Sequence, residues 1–488
     1  FCSRKKAFRS GKLRRDQASN NPNERPPAVR RKKAEIHGRV NGNLRVEFSE
    51  ENLTSYAGLE LMVQYLRNVR FNKLIRDHLA GMLLGGDFGN VALIRVIVGM
   101  LIVGGRRLRH LTFLRGDPVL HRFCGLKDLP SERTVRRWLK CFRRHSVEAL
   151  QRMNAELVAR VISLCLKTRT LTIDVDGTVL STGLQVTWAF RGYNPHHRKV
   201  PSYYPISAYL AESGHILRVR NRPGNVNDGK ASITFLRQLF KQIKETLPKS
   251  YQLRFRMDGD FFKRPVLDLL KSKGAGYAIK VPFWRCLDLQ TQIRKRKRWQ
   301  RVEDGVEGFF TKVTVKTWKR ESRVAIYRKR VFHKTQKNYQ LDLFDPNDGT
   351  WEYSAVTSDL QLNIRSLWRF MCGRGMHEKI IGELKNGLAL DTIPTNHYGA
   401  NNAWQQLVAL THNLLTNFQI ETGAAKKPQS LKRTTHWVLK RAKTLRFELF
   451  HRAGQLVRPN GQTVLRLLKN TATRKRFLEI TKYLGNAA

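Results

Sequence analysis

Two stretches far apart in the chain restrict its fold more than any other feature. At Thr168 the apolar period changes from 3.6 to 2, and Thr170 to Val175 alternates as Thr-Leu-Thr-Ile-Asp-Val before running into Asp176-Gly177-Thr178. Leu253 to Met257 repeats the pattern and ends on Asp258-Gly259-Asp260. Both read as strands that finish on acids, and because side chains alternate across a strand, Asp174 and Asp176 project from the same side. Carboxylates that share a divalent cation must converge from different elements, so two acid-ended strands are informative together. Either Asp-Gly alone also serves as an ordinary turn.

The surrounding pattern says what kind of sheet these strands join. Strand-like runs fall near Thr187 to Arg191, at Pro205 to Leu210 and, behind the Ser213-Gly214 turn, at Ile216 to Arg220. Arg222-Pro223-Gly224-Asn225 breaks this meander. An amphipathic helix is predicted over Lys230 to Thr246, a second over Val266 to Lys271 and a strand over Tyr277 to Val281. Strands in succession followed by alternating helix and strand describe an α/β fold, a mixed sheet with helices on its faces.

A third element supplies a further acid. Phe370 to Leu390 reads as a helix, on which Arg374, Glu378 and Lys385 share one face, an acid between two bases. An acid so placed can hold a divalent metal while the cations hold phosphates, the combination polynucleotidyl transfer needs. Such spacing is also common on solvated helices, so its meaning depends on the two strands.

Charge narrows the partner. Lys and Arg number 91 against 38 Asp and Glu, a net charge of +53, a field that attracts polyanions and repels itself unless one is bound. Nucleic acid is the first partner to expect and an anionic membrane surface the second. The longest apolar run, Val91 to Val103, is too short to span a bilayer, carries Arg95, and is expected as a buried helix. The six cysteines show no CxxC spacing, so neither a zinc site nor a disulfide framework is expected and a reducing compartment fits best. No secretory signal is visible, and the first residue is Phe1.

The remaining segments are basic. Residues 1–36 hold twelve Lys or Arg and few apolar residues, and are expected as a disordered arm that either tracks DNA or serves as a solubilising or targeting tail. Leu44 to Cys165 is helical by periodicity. Within it, Pro118 to Cys124 forms a short helix closed by Gly125, and Ser131 caps a second whose Val135, Trp138, Leu139 and Phe142 face inward. Arg133, Arg136, Arg137, Lys140 and Arg143 are left outside, a layout suited to the recognition helix of a helix-turn-helix and equally to a basic outer face. From Trp284 to about Asn347 a β-rich insertion is expected, with runs at Phe310 to Trp318 and Arg323 to Tyr327. Its Trp299 and Trp318 sit among bases, where they either stack on exposed nucleotide bases or pack across strands. Tyr353 to Thr357 reads as a last strand and Ala403 to Ile420 as an apolar helix. After KKPQSLKR, helices are expected at FELFHRAGQLV and VLRLLKN.

Over roughly residues 44 to 480 the chain resembles the DDE transposases of bacterial insertion sequences, the IS4-like superfamily and within it the IS1380 group. The residues that carry the resemblance are IDVDGTV, GYNPHHRK followed by RPGNVND, RMDGDF, and the long HEKIIGELKNGLALDTIPTNHYGANNAWQQLVALTHNLL. The resemblance implies an RNase H-like catalytic core with a β-strand insertion ahead of the helix that supplies the glutamate. On that basis the chain divides into a basic arm (1–36), a helical DNA-binding domain with a candidate helix-turn-helix (37–165), the first part of the core (166–282), the insertion (283–352), the second part of the core (353–424) and a basic C-terminal helical region (425–488).

The resemblance further implies Asp176, Asp258 and Glu378 as the catalytic, metal-binding triad, with two Mg²⁺ ions per site for which Mn²⁺ can substitute. Asp174 and Asp260 are the near alternatives by register, and Glu383, well round the helix, is the poorer one. Arg374 and Lys385 carry over as phosphate ligands. The superfamily signature runs tyrosine, two residues, arginine, three, glutamate, six, lysine, and the tyrosine position here is Met371, which removes a hydroxyl expected to touch a phosphate. The implied activity is cut-and-paste transposition: binding the terminal inverted repeats of an element, cleaving double-stranded DNA and joining it to a target. The implied unit is a homodimer on DNA, cytoplasmic and nucleoid-associated in a bacterium. His196 and His197, in a polar Asn-Pro loop, are expected to face solvent or DNA rather than a metal.

Overall fold

The computed structural model describes residues 51–82, 86–192, 199–226, 228–247, 251–331, 351–428 and 434–485. The basic arm, His196 and His197, residues 332–350 of the expected insertion and the end of KKPQSLKR lie outside the described residues.

The helical period of the N-terminal third yields helices α1 (Leu59–Asn68), α2 (Phe71–Leu79), α3 (Gly89–Ile102), α4 (Pro118–Cys124), α5 (Glu132–Lys140) and α6 (Arg144–Cys165). The apolar run is α3, buried from Ala92 to Ile102 apart from Arg95. Asp117 caps α4, Gly125 at φ 71° ends it, and Ser131 caps α5 by accepting from the Thr134 N–H, as its sequence predicts.

At Thr170 the chain enters a nine-stranded sheet. Its strands are β1 (Thr170–Gly177), β2 (Ile206–Leu210), β3 (His215–Arg220), β4 (Gln252–Met257), β5 (Gly276–Lys280), β6 (Gln300–Glu303), β7 (Val306–Val315), β8 (Arg320–Arg330) and β9 (Trp351–Ser358). Their order is β3-β2-β1-β4-β5-β9-β8-β7-β6, with β1, β4 and β5 parallel and every other pair antiparallel. The β-rich insertion therefore extends the sheet through β9, which pairs with both β5 and β8, rather than interrupting it.

Both faces of the central strands are covered, which is why β1 is buried at consecutive positions and not only at alternate ones. Leu171, Ile173 and Val175 meet α7 (Asp228–Thr246) and α8 (Arg264–Ser272) in one core, through Phe235, Leu239, Val266 and Leu270. Tyr209, Ile216 and Val219 face another core with α10 (Gly375–Leu388) and α11 (Tyr398–Glu421), where Leu384, Trp404 and Leu407 are buried. Helix α6 contributes Leu150 and Met153 to the second core and Val158 and Ile162 to the first, so the helical third and the sheet pack continuously.

The sheet edge at β3 lies inside the protein, so its outward backbone groups need partners other than water. Amide side chains from the surrounding helices supply them. Asn413 of α11 accepts from the Ile216 N–H at 2.9 Å and donates to the Ile216 carbonyl at 2.8 Å and to Asn154 Oδ1 at 2.8 Å. Gln151 and Gln242 donate to the Leu217 carbonyl, and Gln406 to that of Val219, at 2.8–2.9 Å. These contacts explain the polar residues that interrupt an otherwise apolar α11. Asn413→Leu strands a buried N–H and the Asn154 side chain, and we expect it to cost about 2–3 kcal/mol in urea unfolding; a loss below about 0.5 kcal/mol would refute the edge-capping role.

Two sequence expectations away from the acids fail. Thr187 to Arg191 forms no strand; only Phe190 makes an isolated bridge to Ser202, because Trp188 turns the chain at φ 60°. The segments FELFHRAGQLV and VLRLLKN are not continuous helices: after a short helical turn at Arg446–Phe450, Gly454–Val457 pairs with Val464–Leu467, and Leu53–Thr54 adds a third strand. The turn uses Asn460 at φ 49° and Gly461 at φ 78°. Gly454 is pressed against its partners, since a Cβ there would lie 2.8 Å from the Arg466 carbonyl oxygen. A final helix, α12, spans Thr471–Gly485.

Candidate active site

Because β1 and β4 are parallel neighbours, with Val175 opposite Met257, both finish at the same edge of the sheet. Asp176 is at the end of β1, and Asp258 is the first residue past β4, where its side chain accepts from the Asp260 N–H. The third acid arrives by a kink. The predicted helix over Phe370 to Leu390 is instead two helices, α9 (Ile364–Cys372) and α10, with Arg374 at the N-cap of the second. At the break the Arg374 N–H bonds to the Met371 carbonyl and the His377 N–H to that of Arg374, a tightened turn that leaves the Phe370 carbonyl free of its usual partner. Arg256 Nη1 takes that carbonyl at 2.8 Å. Gly373 is required here, since a Cβ would sit 1.9 Å from Arg256 Nη1.

The kink aims the Arg374 guanidinium into the space between the three carboxylates. Nη2 lies 2.7 Å from Asp176 Oδ2 and 3.5 Å from Asp258 Oδ2, and Nη1 lies 3.3 Å from Glu378 Oε1. The Arg374 side chain is 12% exposed, whereas that of Glu378 is 64% exposed. Burial alone would lower the Arg374 pKa, but Asp176, Asp258, Glu378 and Asp174 outweigh it and raise it above the ordinary value. Among the described residues, no group of three or more His, Cys, Asp or Glu is closed around a metal-sized space; the guanidinium stands at the point of convergence.

The same geometry separates the alternative acids. Asp174, next to Asp176 on the same side of β1, is fully buried and holds Arg256 with both oxygens, at 2.5 and 2.8 Å. Burial raises its pKa against the pull of Arg256. Glu383 accepts from the Ala442 N–H at 2.7 Å, at the start of a short C-terminal helix. Asp260 follows Asp258 in a short 3₁₀ turn and takes part in it through its N–H. Met371 lies in a small core with Ile364, Leu367 and Tyr327, so the position where the signature has tyrosine faces apolar packing.

His377, adjacent to Glu378, is buried against the sheet, with Nε2 3.0 Å from Ser207 Oγ and its ring stacked on Tyr209. Burial pushes its pKa down to about 3, and that of His215 down to about 4. A base whose folded pKa is depressed contributes stability above its unfolded value, and that contribution is lost on acidification. Glu212, raised to about 7 by burial against its bonds from the Thr172 N–H, has the opposite sign. His412, whose pKa burial also lowers, adds to the histidine side and Asp174 to the carboxylate side, so the histidines outnumber the acids and acidification from about pH 6.5 to about pH 4.5 should destabilise the fold. Urea midpoints across that window should fall with pH, and Glu212→Gln should steepen the fall; a flat profile would contradict the burial of these imidazoles as neutral groups.

Lys385, on α10, turns its Nζ to the Val179 carbonyl at 3.0 Å, so it secures the segment just after Asp176. Arg133, Arg136 and Arg137 are exposed on α5 and Lys140 is half-buried. Arg136 pairs with Glu132 and borders a cleft of 460 Å³ that also contains Ser181–Gly183 and Arg106, Arg107 and Arg109. This second basic run, GGRRLRH, was not singled out in the sequence, although its composition marks it. Trp299 and Trp318 are not brought to the acids' convergence. Trp299 meets Phe309 edge-on and Arg328 lies over its ring, while Trp318 packs on Phe262, four residues beyond Asp258.

Among solved structures, the cryo-EM structure of a piggyBac transposase synaptic complex with hairpin DNA is similar over 88% of this chain and 85% of that chain, at 12% identity and a TM-score of 0.40. No curated protein matches the chain. The family model described as transposase DDE domain group 1 matches residues 37–488. The chain belongs to that family of DDE transposase domains.

Proposed function

We propose that this protein is a DNA transposase of the IS1380 group, which binds the terminal inverted repeats of an insertion sequence and carries out metal-dependent cleavage and strand transfer. The observation that carries the reading is the convergence of Asp176, Asp258 and Glu378, from two parallel strands and a kinked helix, on one cation. The strand order, three antiparallel strands followed by two parallel ones, supports an RNase H-like core. A net charge of +53 supports duplex DNA as partner. No helix among the described residues is long and apolar enough to cross a membrane.

The three carboxylates are hard oxygen donors already gathered around positive charge, a set that fits Mg²⁺ or Mn²⁺. Bound there as a pair, such ions supply the Lewis acid that activates water or a 3′-hydroxyl and offsets charge on the leaving oxygen. Arg374 pairs with the acids in the state described; its planar fork, four residues before Glu378 and eleven before Lys385, is equally matched to a DNA phosphate. Lys385 holds the chain beyond Asp176, and α5 with the Arg106–Arg109 run offers phosphate contacts. We further propose that the working unit is a homodimer on paired element ends in the bacterial cytoplasm.

The test is incubation with cognate terminal repeats and target DNA in Mg²⁺ or Mn²⁺. Joined product is expected. Cleavage without joining would make the protein a nuclease or resolvase, and binding without either would make it a retired transposase that acts as a DNA-binding protein.

A further inference from the structure

The end of β3 just ahead of the RPGNVND motif and the HYGANNAWQQL stretch take no part in the acid cluster, yet they meet elsewhere. Asn221, at the strand end, and Tyr398, Asn402 and Gln406 of the helix line a cavity of 260 Å³ together with Arg144 of α6 and Arg218 and Arg220 of β3. Tyr398 ties the helix to the strand end by donating from its hydroxyl to the Asn221 carbonyl at 2.7 Å.

The cavity is polar beyond what its own contacts require. Asn221 is 2% exposed, and neither its Oδ1 nor its Nδ2 has a hydrogen-bond partner among the described residues. Gln406, also 2% exposed, spends its Nε2 on the Val219 carbonyl and leaves Oε1 without one. Arg218 Nε and Arg220 Nη1 are likewise buried and unpartnered. Buried polar atoms of this kind, Asn221 Nδ2, Arg218 Nε and Arg220 Nη1 as donors and the two amide oxygens as acceptors, are costly unless something fills the space between them. Three guanidinium groups line the cavity against one carboxylate, Glu148, which lies 3.3 Å from Arg144. The N-terminal turn of α11, a helix of 24 residues, faces it through Tyr398 and Gly399 and adds the positive end of its dipole. Burial lowers the Arg218 pKa to about 10, with Glu148 pulling it up by more than Arg220 pushes it down.

We propose that this cavity is a second anion site, separate from the acid cluster, that takes a phosphate group on Arg218, Arg220 and Asn221. The water-filled alternative leaves three arginines facing one carboxylate; a phosphate satisfies both their charge and their unpaired N–H donors, which guanidinium geometry suits. The group can come from the DNA backbone or from a free phosphate-bearing molecule. The site does not depend on the transposase reading, since it would bind phosphate even in a chain that joined no DNA.

The experiment uses the full chain and inorganic phosphate, followed by calorimetry and thermal unfolding, with sodium chloride at matched ionic strength as the reference. Wild type should bind with a Kd below about 1 mM and gain several degrees of unfolding temperature. Asn221→Asp places a negative charge in the cavity without enlarging it, so it should abolish the phosphate response by at least about tenfold while leaving basal unfolding temperature equal or higher. Arg220→Gln should weaken binding similarly, and Arg152→Gln, exposed on the same helix as Arg144 and outside the cavity, should leave it unchanged. Equal phosphate responses in wild type and Asn221→Asp would overturn the proposal. If Asn221→Asp also weakens binding to a short duplex, the phosphate belongs to DNA; if duplex binding is untouched, it belongs to a free molecule.

Discussion

On the proposed reading, Asp176→Asn should reduce strand cleavage and joining by about a thousandfold or more, while duplex binding should stay within a few-fold of the parent. The amide preserves the size of the side chain and removes the charge that a metal ligand and the partner of Arg374 both need. A loss of several kcal/mol of transition-state stabilisation is the scale expected when a shared metal loses one of its carboxylates, at about 1.4 kcal/mol per factor of ten. Asp258→Asn and Glu378→Gln should behave alike. Asp174→Asn provides the contrast. It leaves the buried Arg256 charge with one anchor fewer, so its loss of activity should come with a lower unfolding temperature, whereas the Asp176 change should not unfold the chain. Retained joining in Asp176→Asn beside a folded but inactive Asp174→Asn would move the site by one alternate position along β1.

That ambiguity marks where the sequence stops being informative. Alternation puts Asp174 and Asp176 on one side, and nothing local to IDVDGTV distinguishes them. What separates them is the parallel register that sets Arg256 opposite Asp174, a contact between residues far apart in the chain. The strands ending on Asp-Gly, the caps of α4 and α5 and the buried run of α3 were legible because each rests on local period or turn chemistry. The break at Gly373 was not, since both halves keep a helical period and the cause of the kink is Arg256, from another element. The hairpin at Gly454–Leu467 was missed for a different reason. Its Pro459-Asn460-Gly461 turn is a recognisable signal, but the flanking apolar residues suit either period, so local pattern does not choose between helix and hairpin.

Arg256 is the residue on which the geometry of the candidate site most depends, and Arg256→Met tests it. The guanidinium is fully buried, pairs with both oxygens of Asp174, donates to the freed Phe370 carbonyl and lies over the Phe370 ring at 5.2 Å. Removing it leaves a buried carboxylate unpaired, at a cost of about 3–5 kcal/mol. The cost depends on pH. Without Arg256 the Asp174 pKa rises further above its unfolded value, so the protonated form is favoured in the fold, and the penalty shrinks toward acid and grows as pH rises. The gap between parent and variant in urea unfolding should therefore narrow from neutral pH to about pH 5; a gap independent of pH would mean that the loss is one of packing alone. Asp174→Leu combined with Arg256→Met removes the unpaired charge and should regain most of the stability. Joining should not return with it, because nothing then holds the Phe370 carbonyl and the turn that carries Arg374 and Glu378. Gly373 gives the matching coupling: Gly373→Ala drives a methyl into Arg256 in the parent and meets no such group in Arg256→Met, so the two changes together should cost less than their sum. Additive costs would show that the kink is set by the helix itself and not by the arginine beneath it.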